Sequence, residues 1–325
     1  MFKLNNMGRL LLAACAVASF GTQAAHAAWP DRPVRIIVPF APGGTSDTVT
    51  RRMAQELGKQ LGQTFVVENK AGAMGTIGMA DAARSRPDGY TLVANDTGIV
   101  MLPHLRKSLP YDTKKDFTPV GAYVFSPFGL VVNASSDTKT LPDLIDKAKA
   151  NPGKITYGSG GVGTSPHLAA EAFANATGTQ LMHVPFKGAG EAIMAVAGKT
   201  IDMQLVTPST AIGNLKSGRL KMLAVTGDQR LASLPDVPTF AEAGVKDFAV
   251  WNWIGLWAPA GTPRPVVDKL SHAIQGAMQT EDMKKFAVDM SAQPQAVVGD
   301  EFVNLLDTTD RQWKAVIDKA GLKPQ

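Results

Sequence analysis

The sequence predicts an α/β fold of two mostly parallel sheets, covered on both faces by helices and joined by two crossover strands. Three observations carry this. From Pro33 onward, short β-branched runs alternate with amphipathic helices, the rhythm of βαβ units and of a parallel sheet buried on both faces. A second set with the same rhythm begins near Leu141 and runs to about Gly227. Two segments, VFSPFGLVVNASS and VKDFAVWNWIGL, bracket that second set and read as loops. The chain is therefore expected to leave the first sheet once and return once. Two such crossings form a hinge, and the cleft between the lobes becomes the natural ligand site.

The elements follow in order. PVRIIVPF reads as a buried strand. TSDTVTRRMAQELGKQLG reads as a helix, because Met53, Leu57 and Leu61 recur at four-residue spacing and Gly62 supplies the stop. TFVVEN is the next strand; the glycine-rich turn NKAGAMGTIG leads into a helix through Ala83, followed by the strand YTLVAND. The inner set runs helix LPDLIDKAKANPG, strand KITYG, helix SPHLAAEAFANATG, strand LMHVPFKG, helix GEAIMAVAGK, strand IDMQLVT, helix TAIGNLKSG and strand LKMLAVTG. WNWIGLWAPAGTP is a strand and turn leading into the helix RPVVDKLSHAIQGAM, and DEFVNLLDTTDRQWKAVIDKAG is the last helix. The crossings assign residues 28–127 and 251–325 to one lobe and 128–250 to the other.

The first residues are not part of this fold. Lys3 and Arg9 precede an apolar run from Leu10 to Phe20, and Ala25-His26-Ala27 is a small-x-small cleavage site. This is the pattern of a secretory signal peptide over residues 1–27, so the mature chain is expected in the periplasm. Leu12-Ala13-Ala14-Cys15 also resembles a lipoprotein box, but cutting there leaves five apolar residues after Arg9, too few for the apolar core of a signal. Cys15 is the only cysteine, which excludes disulfides and thiolate chemistry from the mature chain. The mature chain carries 31 basic against 28 acidic residues, and no basic run with interleaved aromatics. Nucleic acid is therefore not an expected partner.

YGSGGVGTSPHL has the G-x-G-x-x-G spacing of a dinucleotide turn at Gly158, Gly160 and Gly163. The acidic residue that would take the ribose is missing, since residues 178–190 offer only His183 and Lys187 as ionisable groups. VPFAPGGTSD repeats the design in the other lobe: strand, glycines, hydroxyls, helix. Each turn presents free backbone N–H groups at the positive end of a helix dipole, an anion site without a cationic side chain. Ser46, Ser159, Thr164 and Ser165 can add hydroxyl donors, and neither turn carries the lysine of a P-loop. A small organic acid held between the lobes is the physical reading. His167, in the first turn of its helix, and Lys187, in a turn after an apolar strand, are open to both surface and ligand roles. Trp251 and Trp253 are open to core packing or a cleft wall. His104, His183 and His272 show no metal-ligand spacing, and no second carboxylate or nucleophile accompanies Asp47. No metal, cofactor or catalytic constellation is expected.

WPDRPVRIIVPFAPGGTSD, NPGKITYGSGGVGTSPHLAAEAF, HVPFKGAGEAIMAVAGKTID, LAVTGDQRLASLPDVPTFAEAG and WIGLWAPAGTPRPVVDKL resemble, in order and spacing, the extracytoplasmic solute receptors of tripartite tricarboxylate transporters, often called Bug proteins. The resemblance implies a two-lobed, type II periplasmic-binding-protein fold, a carboxylate ligand, membrane transporter subunits as partners, a monomer and no catalysis. It also implies a first ligand loop containing Phe40, Ala41, Gly43, Gly44, Ser46 and Asp47, and a second containing Ser159, Gly160, Thr164 and Ser165. Thr97, Val206 and Thr207 sit at positions resembling further cleft contacts. Many relatives carry an acidic or small polar residue where this chain has Val206, so an amino-acid ligand is disfavoured. The rival readings are a Rossmann-type dinucleotide enzyme, a ligand sensor for a signalling partner, and a scaffold without ligand.

Overall fold

The computed structural model describes residues 29–246 and 248–324; the stretch expected to be a signal peptide, the cleavage site expected after Ala27, and Cys15 lie outside them. Among the described residues no helix is long and apolar enough to cross a membrane.

The first part of the chain alternates as its sequence requires: β1 (Val34–Val38), α1 (Thr45–Leu61), β2 (Phe65–Asn69), α2 (Thr76–Ala83), β3 (Thr91–Asp96) and α3 (Gly98–Leu105). α1 packs Val49, Met53 and Leu57 against Val34, Ile36 and Val38. It stops at Gly62, whose φ of 71° is open to glycine and whose N–H closes on the Gly58 carbonyl. β4 (Phe117–Pro127) follows, and after the single residue Phe128 the chain continues as β5 (Gly129–Asn133).

The inner set is α4 (Leu141–Ala150), β6 (Ile155–Ser159), α5 (Ser165–Thr177), β7 (Leu181–Pro185), α6 (Ala189–Ala197), β8 (Met203–Val206), α7 (Pro208–Lys216) and β9 (Leu220–Val225). α4 opens with a capping box in which Thr140 and Asp143 exchange hydrogen bonds. The chain returns through β10 (Trp251–Pro259) and closes with α8 (Arg264–Gln279), α9 (Glu281–Asp289), β11 (Gln293–Val298) and α10 (Gly299–Lys319).

Two sheets result, one of six strands in the order β11-β4-β10-β3-β1-β2 and one of five in the order β7-β6-β8-β5-β9. Both are mixed, which corrects the expectation of mostly parallel sheets. β1 runs parallel to β2 and β3, and β6 parallel to β7 and β8. The crossing strands run the other way: β10 is antiparallel to β3 and β4, and β5 to β8 and β9. A chain that leaves a sheet and comes back through the same gap must traverse it in both directions. The first crossing is also not a loop; β4 and β5 form one extended run with Phe128 at its middle.

The two crossings are tied to each other. Trp251 pairs with Pro127 and Asn252 with Ser126. Thr226 donates its N–H to the Phe128 carbonyl at 2.8 Å, and the Phe128 N–H donates to Thr226 Oγ1 at 2.9 Å. One apolar cluster spans both sheets, joining Phe302, Trp313 and Ile317 of α10 to Leu168 and Phe173 of α5.

Candidate functional site

The first glycine loop leaves β1 at Pro39 and enters α1 without a side-chain cap at Gly44. Gly43 has φ of 83°, where a β-carbon is strained. Asp47, 3% exposed, holds the loop from below. Its Oδ2 accepts the Gly43 N–H at 2.8 Å, its Oδ1 accepts from Asn69 Nδ2 at 2.9 Å, and Arg51 Nε lies 2.9 Å from Oδ1. Asn69 Nδ2 also donates to the Phe40 carbonyl at 3.1 Å. Burial alone would raise the Asp47 carboxyl, but the bonds from Gly43, Arg51 and Asn69 outweigh it and hold the group below the usual carboxylate range. Asp47 is thus a brace whose carboxylate is engaged inside the loop. Ala41, Gly43 and Gly44 remain exposed, and Ser46 is buried.

The second loop is built on the same plan. Gly161 and Gly163 have φ of 119° and 82°. A β-carbon on Gly160 would lie 3.1 Å from the Ala189 amide at the start of α6. The glycine spacing therefore serves the path and packing of the loop, which answers the dinucleotide question raised by its pattern. Thr164 is the N-cap of α5, yet its Oγ1 donates to the Gly161 carbonyl at 2.8 Å and leaves the helix end without a side-chain cap.

Behind this loop stands a stack of three rings. Tyr157 and His183 are 4.9 Å apart between centroids, and His183 and His167 are 4.1 Å apart. His167 Nδ1 accepts the Gly163 N–H at 3.0 Å. Ser159, 0% exposed, donates to the Gly161 carbonyl at 3.0 Å, accepts the Gly161 N–H at 3.1 Å, and lies 2.7 Å from His183 Nε2. A hydroxyl has one proton, so the three contacts are satisfied together when His183 carries its proton on Nε2. Burial pushes both imidazoles down, and with the added repulsion from His183 the His167 ring falls to about 4. The Tyr157 hydroxyl donates to Glu171 Oε1, and burial raises it above its ordinary range.

Several candidate residues take roles other than the expected ones. The Ser159 hydroxyl is consumed inside the loop instead of facing outward. Thr97 is fully buried, and its Oγ1 donates to Asn252 Oδ1 at 2.8 Å, tying the end of β3 to the returning strand. Val206, 1% exposed, packs with Val131, Ile193 and Val225 in the core because it ends a buried strand paired to Gly129. Thr207 is the N-cap of α7, with its hydroxyl 3.1 Å from that of Thr210. Lys187 is exposed; its backbone N–H donates to Glu191 Oε2 at 3.0 Å. Trp253 is core, packed on Trp257 and Phe302, while half-buried Trp251 lies against Gly227. Ser165 stays half-buried at the start of α5.

The second loop reaches the first lobe. A β-carbon on Gly163 would stand 2.8 Å from Leu105 Cδ1 and 3.6 Å from Met74 Cε. Met74 sits in the short 3-10 turn Ala73–Gly75, where Ala73 and Met74 have φ of 46° and 56°, a costly conformation for non-glycine residues. The sequence carries no signal for this turn beyond its glycines. A separate cavity of about 930 Å³ opens between α3, the segment after it and α10, and includes no residue of either glycine loop.

Residues 49–322 match the Tripartite tricarboxylate transporter family receptor family. The periplasmic binding protein BugD superposes with a TM-score of 0.78 at 34% identity, covering 91% of this chain and 100% of that one. A Rhodopseudomonas palustris protein solved with adipate gives 0.82 at 30% identity, with 91% and 100% covered. MatC from Rhodopseudomonas palustris with bound malate gives 0.75 at 30% identity, with 89% and 100% covered. These are solute-binding proteins and not enzymes, on the two-lobed α/β fold described above. The chain belongs to the family of tripartite tricarboxylate transporter receptors.

Proposed function

We propose that this receptor works in the periplasm as a monomer, captures a small carboxylate between lobes formed by residues 28–127 with 251–325 and by residues 128–250, and hands it to the membrane subunits of a tripartite transporter. One observation carries the reading. α1 and α5 each begin without a side-chain cap, behind a glycine loop whose own carboxylate, hydroxyls or imidazole are engaged inside. The leading amides of a helix have no carbonyl of that helix to bind, so these two ends offer N–H groups and dipole charge to an anion. The adipate and malate held by two relatives are anions of the matching kind. The ligand contacts are assigned to the backbone N–H groups that the loops leave free, those of Ala41, Gly44, Thr45 and Ser46 and of Gly160, Val162 and Ser165, with the Ser165 hydroxyl at the edge; the N–H groups of Gly43, Gly161 and Gly163 and the Thr164 hydroxyl are spent inside the loops.

The test is native mass spectrometry of freshly purified mature protein, followed by calorimetric titration with malate, adipate and related acids. A retained or titratable acid at one-to-one stoichiometry is the expected result. A folded protein that binds no carboxylate, or one that binds a dinucleotide instead, overturns the reading.

A further inference from the structure

Asp96 is a carboxylate that the ligand loops do not account for. It ends β3, and the strand's alternation puts it on the same sheet face as Leu92 and Ala94, which pack with Val49 and Met53 of α1. β1 and β3 run parallel with Ile37 opposite Val93. Continuing that register sets Asp96 beside Phe40, where the first glycine loop departs. Both lie at the carboxyl end of the parallel strands, the end at which open α/β sheets take their ligands.

The carboxylate is half spent. Asp96 Oδ1 accepts the Gly98 N–H at 2.8 Å. Among the described residues no lysine, arginine or histidine forms an ion pair with it. The side chain keeps some exposure although it is deep within the protein, and burial pushes its carboxyl above the ordinary range. Arg35, Arg51 and Lys70, the cations on the neighbouring strands and helix, are engaged with Glu68, Asp81 and Asp47. A partly desolvated carboxylate without a cation is costly, and a ligand bearing only carboxylates adds repulsion to that cost. A ligand with a protonated nitrogen beside its carboxylate relieves it.

We propose that Asp96 is a specificity-determining residue that receives the ammonium of a small amino acid whose carboxylate is held by the glycine loops. This rests on the receptor reading above and narrows it. The argument against amino acids from Val206 loses its force, because Val206 is a core residue. The competing role for Asp96 is purely to cap α3 through Gly98.

Matched acids separate these roles: succinate against aspartate, adipate against 2-aminoadipate, and propionate against 3-aminopropanoate, titrated by calorimetry into the mature wild-type protein and Asp96→Asn. Asparagine keeps an oxygen for the Gly98 N–H and removes the charge. In at least one pair the amino acid is expected to bind at least tenfold more tightly than its amine-free partner. Asp96→Asn is expected to weaken it ten- to a hundredfold and to leave the amine-free acid unchanged or tighter. Amine-free acids binding as well as or better than their partners throughout overturns the Asp96 role and leaves the receptor reading standing. A variant that keeps the amine preference also overturns it, in favour of the cap. If no acid of either series binds folded protein, both readings fall. Should Asp96→Asn not fold, the wild-type preference alone decides.

Discussion

His183 Nε2 lies 2.7 Å from Ser159 Oγ, and the same ring is stacked 4.1 Å from His167, so the second glycine loop hangs on two neutral imidazoles. Its shape is set by side chains whose polar atoms are engaged within the loop and its supporting stack.

The first consequence is a pH dependence of stability. In the native protein His167 is held to about 4, whereas in the unfolded chain it titrates near its ordinary 6.5. Between those values the unfolded chain binds a proton that the native state refuses, so stability falls as pH drops from 6.5 toward 4. The full effect is about 3 kcal/mol for His167, and His183 adds in the same direction. Asp47 and Asp81, whose carboxyls are held low, lose their contributions only below about 3.8. Urea unfolding across this window should show the decline, and His167→Gln should flatten it. Burial raises the Asp96 carboxyl, which works against the decline in the lower part of this window, so the difference between the two proteins is the readout: identical slopes for wild type and His167→Gln from pH 6.5 to 4 would refute the assignment.

Ser159→Ala should destabilise the ligand-free protein. It strips the Gly161 N–H and His183 of a buried partner, at about 1 to 3 kcal/mol. Thermal denaturation without any added acid reads this directly. An unchanged midpoint, with only affinity reduced, would return the hydroxyl to the ligand.

Gly163→Ala should cost about 1 to 2 kcal/mol for its left-handed backbone alone. It should cost more through the 2.8 Å approach to Leu105 Cδ1. Leu105→Ala removes that clash but not the strain, so the double variant should be more stable than the sum of the singles implies. Strict additivity in the four-protein cycle would show that the loop and α3 do not touch in solution.

Lys187→Ala should change carboxylate affinity by less than about fivefold, since an exposed charge contributes about 0 to 1 kcal/mol. Loss of binding in calorimetry would move the anion site from backbone to side chain.

The sheet-and-helix order was readable because the buried strands VRIIV, TLVAND and MQLV and the glycine stops are local signals. Strand direction was not, since a buried strand reads the same whether its neighbours run with it or against it. α3 was hidden by apolar residues on all sides and by Pro103, and β11 by its polar, exposed edge character. The inward aim of Ser159 was readable from period two, because it shares a face with Tyr157, a core residue. The stack beneath it was not. It depends on the pairing of Tyr157 with His183, a register between strands that no local pattern states. Asp96 gave a signal of its own, an acid closing an apolar strand, yet its lack of a cation became visible only once its neighbours were placed.

The apolar cluster that joins α10 to α5 bears on how the molecule melts. Two lobes linked only by extended strands would be free to denature one after the other. Here Phe302, Trp313 and Ile317 come from the end of the chain and are packed with Leu168 and Phe173 from its middle. Neither lobe can lose its packing without exposing part of the other's interior. The protein should therefore unfold as one cooperative unit, with calorimetric and van't Hoff enthalpies equal. Truncation before Trp313 should weaken the five-stranded sheet's lobe as well as the one that α10 follows in sequence.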